Sequence, residues 1–146
     1  MTWLLIIFIV FVALAPLMTI MPTRAQKKVV NLREAAAVAG LQVQLQEPPG
    51  LALDKRLSAC YGIRVGRQQR MQLEGSFVRE ETGWRNLDRR GDALPAVKLD
   101  FPEGVSHLVL TPDMLLAFWD EHGEIADVER LKLGLEVVLE ACSESK

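Results

Sequence analysis

The sequence predicts an α+β fold, with one N-terminal transmembrane helix followed by a small soluble domain whose antiparallel sheet is flanked by helices. Three observations lead there. The first 23 of the 146 residues contain no Asp, Glu, Lys, Arg or His, so every charge is crowded into the remaining 123. Short central segments alternate apolar and polar residues, and a helical apolar stripe recurs near the C-terminal end. The composition, 49% hydrophobic and 25% charged with 17 basic against 19 acidic residues and a net charge of −2, fits one small domain. A wholly soluble protein, a disulfide-rich miniprotein, a low-complexity chain and a multi-pass transporter all fit these counts poorly.

From Trp3 to Met21 the chain reads WLLIIFIVFVALAPLMTIM, with Thr19 its one polar side chain. A helix of this length spans roughly 28 Å, close to the roughly 30 Å hydrocarbon core of a bilayer, so it fits one crossing. Pro16 removes a backbone donor, which a membrane helix tolerates where neighbours or Thr19 re-satisfy the freed carbonyl. A cleaved secretory signal would carry a basic start, a shorter apolar core and a small-x-small cleavage site. Here Met1-Thr2 lack a basic side chain, and Thr23-Arg24-Ala25 sets a bulky cation beside the cut. Residues 1–23 are therefore expected to remain as an anchor.

No basic side chain precedes the span, whereas Arg24, Lys27, Lys28 and Arg33 follow it closely. Cations near a span are retained on the cytoplasmic side, so the N-terminus should face out and the folded part in. Trp3 then sits at the outer interface, and Arg24, Lys27 and Lys28 meet anionic lipid head groups at roughly 1 kcal/mol per cation. In a reducing compartment Cys60 and Cys142 should be free thiols, with no CxxC spacing to read.

Residues 24–40, RAQKKVVNLREAAAVAG, predict a basic juxtamembrane helix, with Val29, Leu32, Ala36 and Ala39 on one face and Gly40 as its stop. Pro22 predicts a break before it. The soluble α+β domain is then residues 41–146. Leu41 to Glu47 alternates strictly and reads as a half-buried strand, with Leu41, Val43 and Leu45 on one side. Pro48-Pro49-Gly50 ends it, and residues 51–57 stay open between a loop and a helical turn.

Residues 59–65, 69–73 and 76–79 are further strands, the last continuing through Gly83-Trp84 around a hairpin tip at Glu81-Thr82-Gly83. Together they suggest an antiparallel meander. Asn86 to Pro95 reads as a mobile polar loop. Residues 105–110 and 114–119 form another strand pair, although the second could equally be a short buried helix. Glu124 to Ala141 reads as a helix with an apolar stripe of Ile125, Val128, Leu131, Leu135, Val138, Leu139 and Cys142, and Glu124 and Asp127 suit the helix dipole at its start.

Candidate chemistry is sparse. Residues 24–98 hold 14 basic against 8 acidic side chains and residues 99–146 hold 3 against 11. The halves either neutralise one another or set the basic half toward lipid. Arg64, Arg67 and Arg70 form a small basic cluster, but a pI of about 5.7 and few aromatics argue against nucleic acid. Asp120, Glu121, His122 and Glu124 are metal-ligand types too close together to converge, so a polar turn is expected. His107 reads as an edge or core histidine, and Trp84 and Trp119 as large core or rim residues whose indole N–H groups need acceptors. No G-x-S-x-G, P-loop, G-x-G-x-x-G or H-E-x-x-H motif is present, so no catalytic residue, metal or cofactor is assigned.

The segment LMTIMPTRAQKKVVNLREAAAVAGLQVQL, residues 17–45, resembles in layout the YajC family of Sec-translocase accessory proteins, which likewise have a span, a proline, a basic Gln-containing stretch, a helix and a strand. The likeness stops where that family continues with a glycine-rich G-D-x-V-x-T-x-G-G segment, here replaced by LQVQLQEPPG. The chain as a whole resembles single-span inner-membrane proteins of Gram-negative bacteria, which implies a location and no mechanism. The expected function is a membrane-tethered cytoplasmic module that binds or scaffolds a membrane or cytosolic protein. A Sec accessory role is what the first resemblance implies. A membrane-anchored enzyme and an exported domain of opposite orientation are the remaining alternatives.

Overall fold

A computed structural model of the chain describes residues 1–50, 57–67, 69–88, 93–94 and 98–145. It divides into two compact units, Met1–Val30 and Asn31–Lys146.

In the first unit, α1 (Thr2–Thr19) has no buried residue and is long and apolar enough to cross a membrane, as either a span or a signal sequence would be. Pro16 lies inside it. The Thr19 hydroxyl donates to the carbonyl of Pro16 itself at 2.8 Å, three residues back. It therefore does not serve the carbonyl of Val12, which loses its i+4 donor to the proline. The helix stops before Pro22, as expected. Thr23 then opens α2 (Arg24–Val38) with a reciprocal cap. The Gln26 amide donates to Thr23 Oγ1 at 3.3 Å, and the Thr23 amide donates to Gln26 Oε1 at 2.9 Å.

In the second unit, Leu32 and Ala36 of α2 are fully buried, and the helix ends at Gly40 (φ +88°). The amides of Gly40 and Leu41 donate to the carbonyls of Ala37 and Ala36, a closure that needs the left-handed backbone glycine adopts freely. The strands that follow are β1 (Gln42–Gln46), β2 (Ser58–Arg64), β3 (Gln69–Met71), β4 (Gly75–Glu80), β5 (Gly83–Asn86), β6 (Val105–Leu110) and β7 (Met114–Trp119). Helix α3 (Ile125–Cys142) and β8 (Ser143–Ser145) complete the described chain. The fold is α+β, with flanking helices and an antiparallel six-stranded sheet of order β1-β2-β7-β6-β4-β5.

That order corrects the meander. β2 pairs with β1 and β7, and β3 leaves the sheet to pair with β8 in a separate two-stranded ribbon. Alternation marks which segments are strands, but neighbours far apart in sequence are chosen by packing. The stretch 114–119 is a strand at the middle of the sheet, with apolar contacts on both faces, which is why its sequence lacks alternation. Leu45 shares its side of β1 with Leu41 and Val43 but remains 53% exposed on this edge strand. Residues 51–56 and, within the expected loop at 86–95, residues 89–92 and 95 lie outside the described residues, while Asn86 ends β5.

One row across the sheet runs Val43, Tyr61, Ala117, Leu108 and Phe77, and these residues pack under α2 and α3 in the main core. The row on the opposite face runs Gln44, Cys60, Phe118, His107, Val78 and Arg85. A register shift in β6 between Val105 and His107 lets Val105 and Leu108 both enter the main core despite their odd spacing. His107 thus sits on an interior strand, half-buried on the other face, with its ring 6.2 Å from that of Phe118. Cys142 belongs to the main core and Cys60 to the small cluster with Leu116 and Phe118, so the two free thiols are separated by the sheet.

Helix α3 opens with a capping box between Glu124 and Asp127 and buries Val128, Leu131, Leu135 and Val138 against the sheet. Each of these contributes about 1.5–3 kcal/mol of burial. Gly134 lets the helix approach Phe101, because a Cβ there would stand 2.7 Å from Cε1 of that ring. Phe101 is buried and packed edge-on against Trp84 with centroids 5.7 Å apart, so it has little freedom to retreat. Gly134→Ala, which would gain about 1 kcal/mol in an exposed helix, should instead destabilise by about 1–2 kcal/mol. Urea unfolding checks the sign, and a stabilised variant would mean that Phe101 moves aside freely.

Candidate protein-interaction groove

The turn between β7 and α3 organises the surface above the sheet. Glu121 takes a left-handed backbone (φ +60°), a conformation that costs a non-glycine residue on the order of 1 kcal/mol and persists only when its surroundings hold it. Here two groups hold it. Arg33 of α2 makes a bidentate pair to its carboxylate, Nε to Oε1 at 2.7 Å and Nη2 to Oε2 at 2.9 Å. The Tyr61 hydroxyl donates to Oε1 at 2.6 Å. The Glu121 side chain is 10% exposed, and the Tyr61 ring beneath is fully buried, edge-on to Trp119 at 5.5 Å. Trp119 donates its indole N–H to the Glu103 carbonyl at 3.0 Å. Burial, and then the adjoining carboxylate, pushes the Tyr61 phenol well above its ordinary value of 10.

This clamp ties α2 to the residues just before α3. Between the two helices lies an open groove of about 750 Å³. Its walls are Glu34, Ala35 and Val38 from α2 and Ile125, Ala126 and Glu129 from α3. Leu32 and Ala36 turn into the core, so the same helical period turns Glu34 and Val38 outward. Val38 is 85% exposed and Ile125 57%, large values for aliphatic side chains that share a concavity. No basic residue lines the groove, and among the described residues neither Glu34 nor Glu129 has an ion-pair partner.

The residues singled out in the sequence are dispersed. Trp3 lies on the first turn of α1, 79% exposed, and Arg24, Lys27 and Lys28 share one exposed face at the start of α2. Asp120, Glu121, His122 and Glu124 do not converge. Asp120 accepts from the His122 amide at 3.1 Å, Glu124 serves the helix cap, and Glu121 is held by Arg33 and Tyr61. Among the described residues no three His, Cys, Asp or Glu side chains gather as metal ligands would. Cys60 and His107 share a face, but Phe118 stands between them in the register, too far for a thiol–imidazole hydrogen bond. Burial raises both thiols above their usual range. Arg64 ends β2 and Arg67 lies in an exposed turn closed by the Gln69 amide on the Gly66 carbonyl, while Gln68 and the Arg70 side chain lie outside the description.

Sequence reasoning missed the clamp and the groove. Arg33, Tyr61 and Glu121 are separated by tens of residues, and nothing local links them. The one available signal was Val38, an apolar residue on the polar side of a short amphipathic helix. No family model matches the chain, and neither a curated protein nor a solved structure matches it.

Tyr61 is the chain's one tyrosine, so tyrosinate absorbance reports this phenol alone. Its folded-state pKa is raised, so its contribution to stability is intact below pH 10 and falls away as pH rises above that value. Tyrosinate should appear only with cooperative alkaline unfolding, and Tyr61→Phe should flatten the alkaline limb while costing about 2–3 kcal/mol at neutral pH, since it strips a donor from a largely buried carboxylate. Tyrosinate formed near pH 10 with the fold intact would mean that the phenol is not clamped.

Proposed function

We propose that the protein is a membrane-tethered cytoplasmic interaction or scaffolding module, in which α1 anchors the chain once in a bacterial inner membrane and the 31–146 unit presents the α2–α3 groove to a protein partner. The groove carries the proposal. It brings two exposed aliphatic side chains, Val38 and Ile125, into one concavity beside two unpaired carboxylates, whereas Leu45, Leu57 and Leu133, the other exposed large aliphatics of the unit, do not line it. Such a combination suits a reversible protein contact better than a small-molecule pocket, which encloses its ligand and directs converging polar groups at it.

Support for the anchor comes from α1, whose 18 residues carry no charge and no buried side chain. Support for the orientation comes from Arg24, Lys27 and Lys28, which come after the apolar helix with no basic side chain before it. Their shared face on α2 suits contact with anionic head groups, and Trp3 suits the opposite interface. Confinement to a membrane raises the local concentration of the groove near membrane partners, so a small contact suffices.

A reporter fused after Lys146 in the full chain tests the arrangement. A cytoplasmic enzyme reporter should be active and an export-dependent phosphatase silent, and the chain should stay in the membrane pellet after alkaline carbonate washing. Mass spectrometry should find residues 1–23 retained. Phosphatase activity would reverse the orientation, and a mature chain trimmed near Ala25 would remove the anchor.

A further inference from the structure

Taking the groove as the interaction site of the proposed module, we infer that its occupant is a basic amphipathic helix from the cytoplasmic juxtamembrane segment of another membrane protein, seated between α2 and α3 with its cations on Glu34 and Glu129. The secondary structure of the occupant follows from the walls. Both sides of the groove are helices whose backbone groups are already paired internally, so an extended peptide would find no free edge to extend and would leave its own amides unsatisfied. A helix satisfies its backbone itself. Ala35 and Ala126 in its lining are small side chains that allow close approach of a third helix, and Val38 and Ile125 offer it exposed apolar surface.

The charge follows from the rim. Glu34 and Glu129 are exposed carboxylates with no cation opposite them, so a partner with Lys or Arg beside its apolar stripe gains attraction at both. An acidic partner meets repulsion. The source follows from the proposed orientation, because cytoplasmic segments next to membrane spans are enriched in Lys and Arg. A second copy of this chain fits less well, since its own basic turn at Arg24, Lys27 and Lys28 is engaged at the lipid surface in the same arrangement.

The test places a photo-crosslinking amino acid at Val38 or at Ile125 of the full-length chain in native membranes, with Gln44 on the opposite sheet face as the control position. Mass spectrometry then reads the sequence of the crosslinked segment. Both groove positions should label one segment, helical in its apolar spacing, flanked by Lys or Arg and adjacent to a membrane span, and Gln44 should not label it. Glu34→Lys with Glu129→Lys should lower the crosslink yield about tenfold, and the corresponding double Gln variant should lower it less. Both residues are exposed, and unchanged circular dichroism confirms that the variants fold.

Crosslinks to a segment of another protein that is acidic or neutral, or that ignores charge reversal, would overturn the basic-helix assignment and leave the module reading intact. Crosslinks to lipid or to a second copy would overturn the assignment as well. Equal labelling from Gln44, or no labelling from either groove position, would remove the groove itself and with it the proposed function.

Discussion

The carboxylate of Glu121 is the contact on which the upper surface of the domain depends. It sits in a strained left-handed turn, is largely withdrawn from water, and is satisfied at once by a guanidinium from α2 and a phenol from the middle of the sheet. Such a group is costly when any partner is lost, because a desolvated carboxylate left half-paired loses far more than the net worth of one hydrogen bond. Arg33 remains 37% exposed, so solvent screens its side of the pair. The phenol side is dry. The clamp therefore anchors more firmly to the sheet than to α2, and α2 is held chiefly by Leu32 and Ala36 with the ion pair setting its register.

That division of labour explains why a groove persists between two helices that could have closed on each other. Leu32 and Ala36 draw α2 onto the sheet, and Leu131 and Leu135 do the same for α3. Each helix commits its buried face to the sheet, leaving for the gap residues that lie at the margin of that face or turn away from it. On α2 these are Glu34, Ala35 and Val38, and on α3 they are Ile125, Ala126 and Glu129. The apolar exposure is a consequence of where the core lies.

Much of the fold was legible in the sequence because each element carries a local signature. The uncharged start, the break at Pro22, the Gly40 stop, the Leu41–Glu47 alternation and the C-terminal stripe all report on residues within a few positions of one another. What was not legible is pairing at a distance. The departure of β3 to join β8, the insertion of β7 between β2 and β6, and the register shift that turns Val105 and Leu108 to the same side are decided by which strands share a core. The same limit hid the site. Asp120, Glu121, His122 and Glu124 look like one acidic turn, yet their side chains serve a local turn, a long-range clamp and a helix cap.

The thiols show how structure can free a conclusion from its original premise. On sequence grounds Cys60 and Cys142 were expected to be free because the compartment was expected to be reducing. The fold places them on opposite faces of a sheet, one beside Phe118 and the other at the end of α3 beneath the main core. A disulfide needs α-carbons within about 7 Å and β-carbons that point toward each other, which a sheet lying between two residues forbids. The thiols therefore stay apart in either orientation, and no covalent staple supplements the core. Cohesion of the 31–146 unit rests on packing and on the clamp, so its groove belongs to a surface whose geometry is set by the same few buried side chains that keep the domain folded.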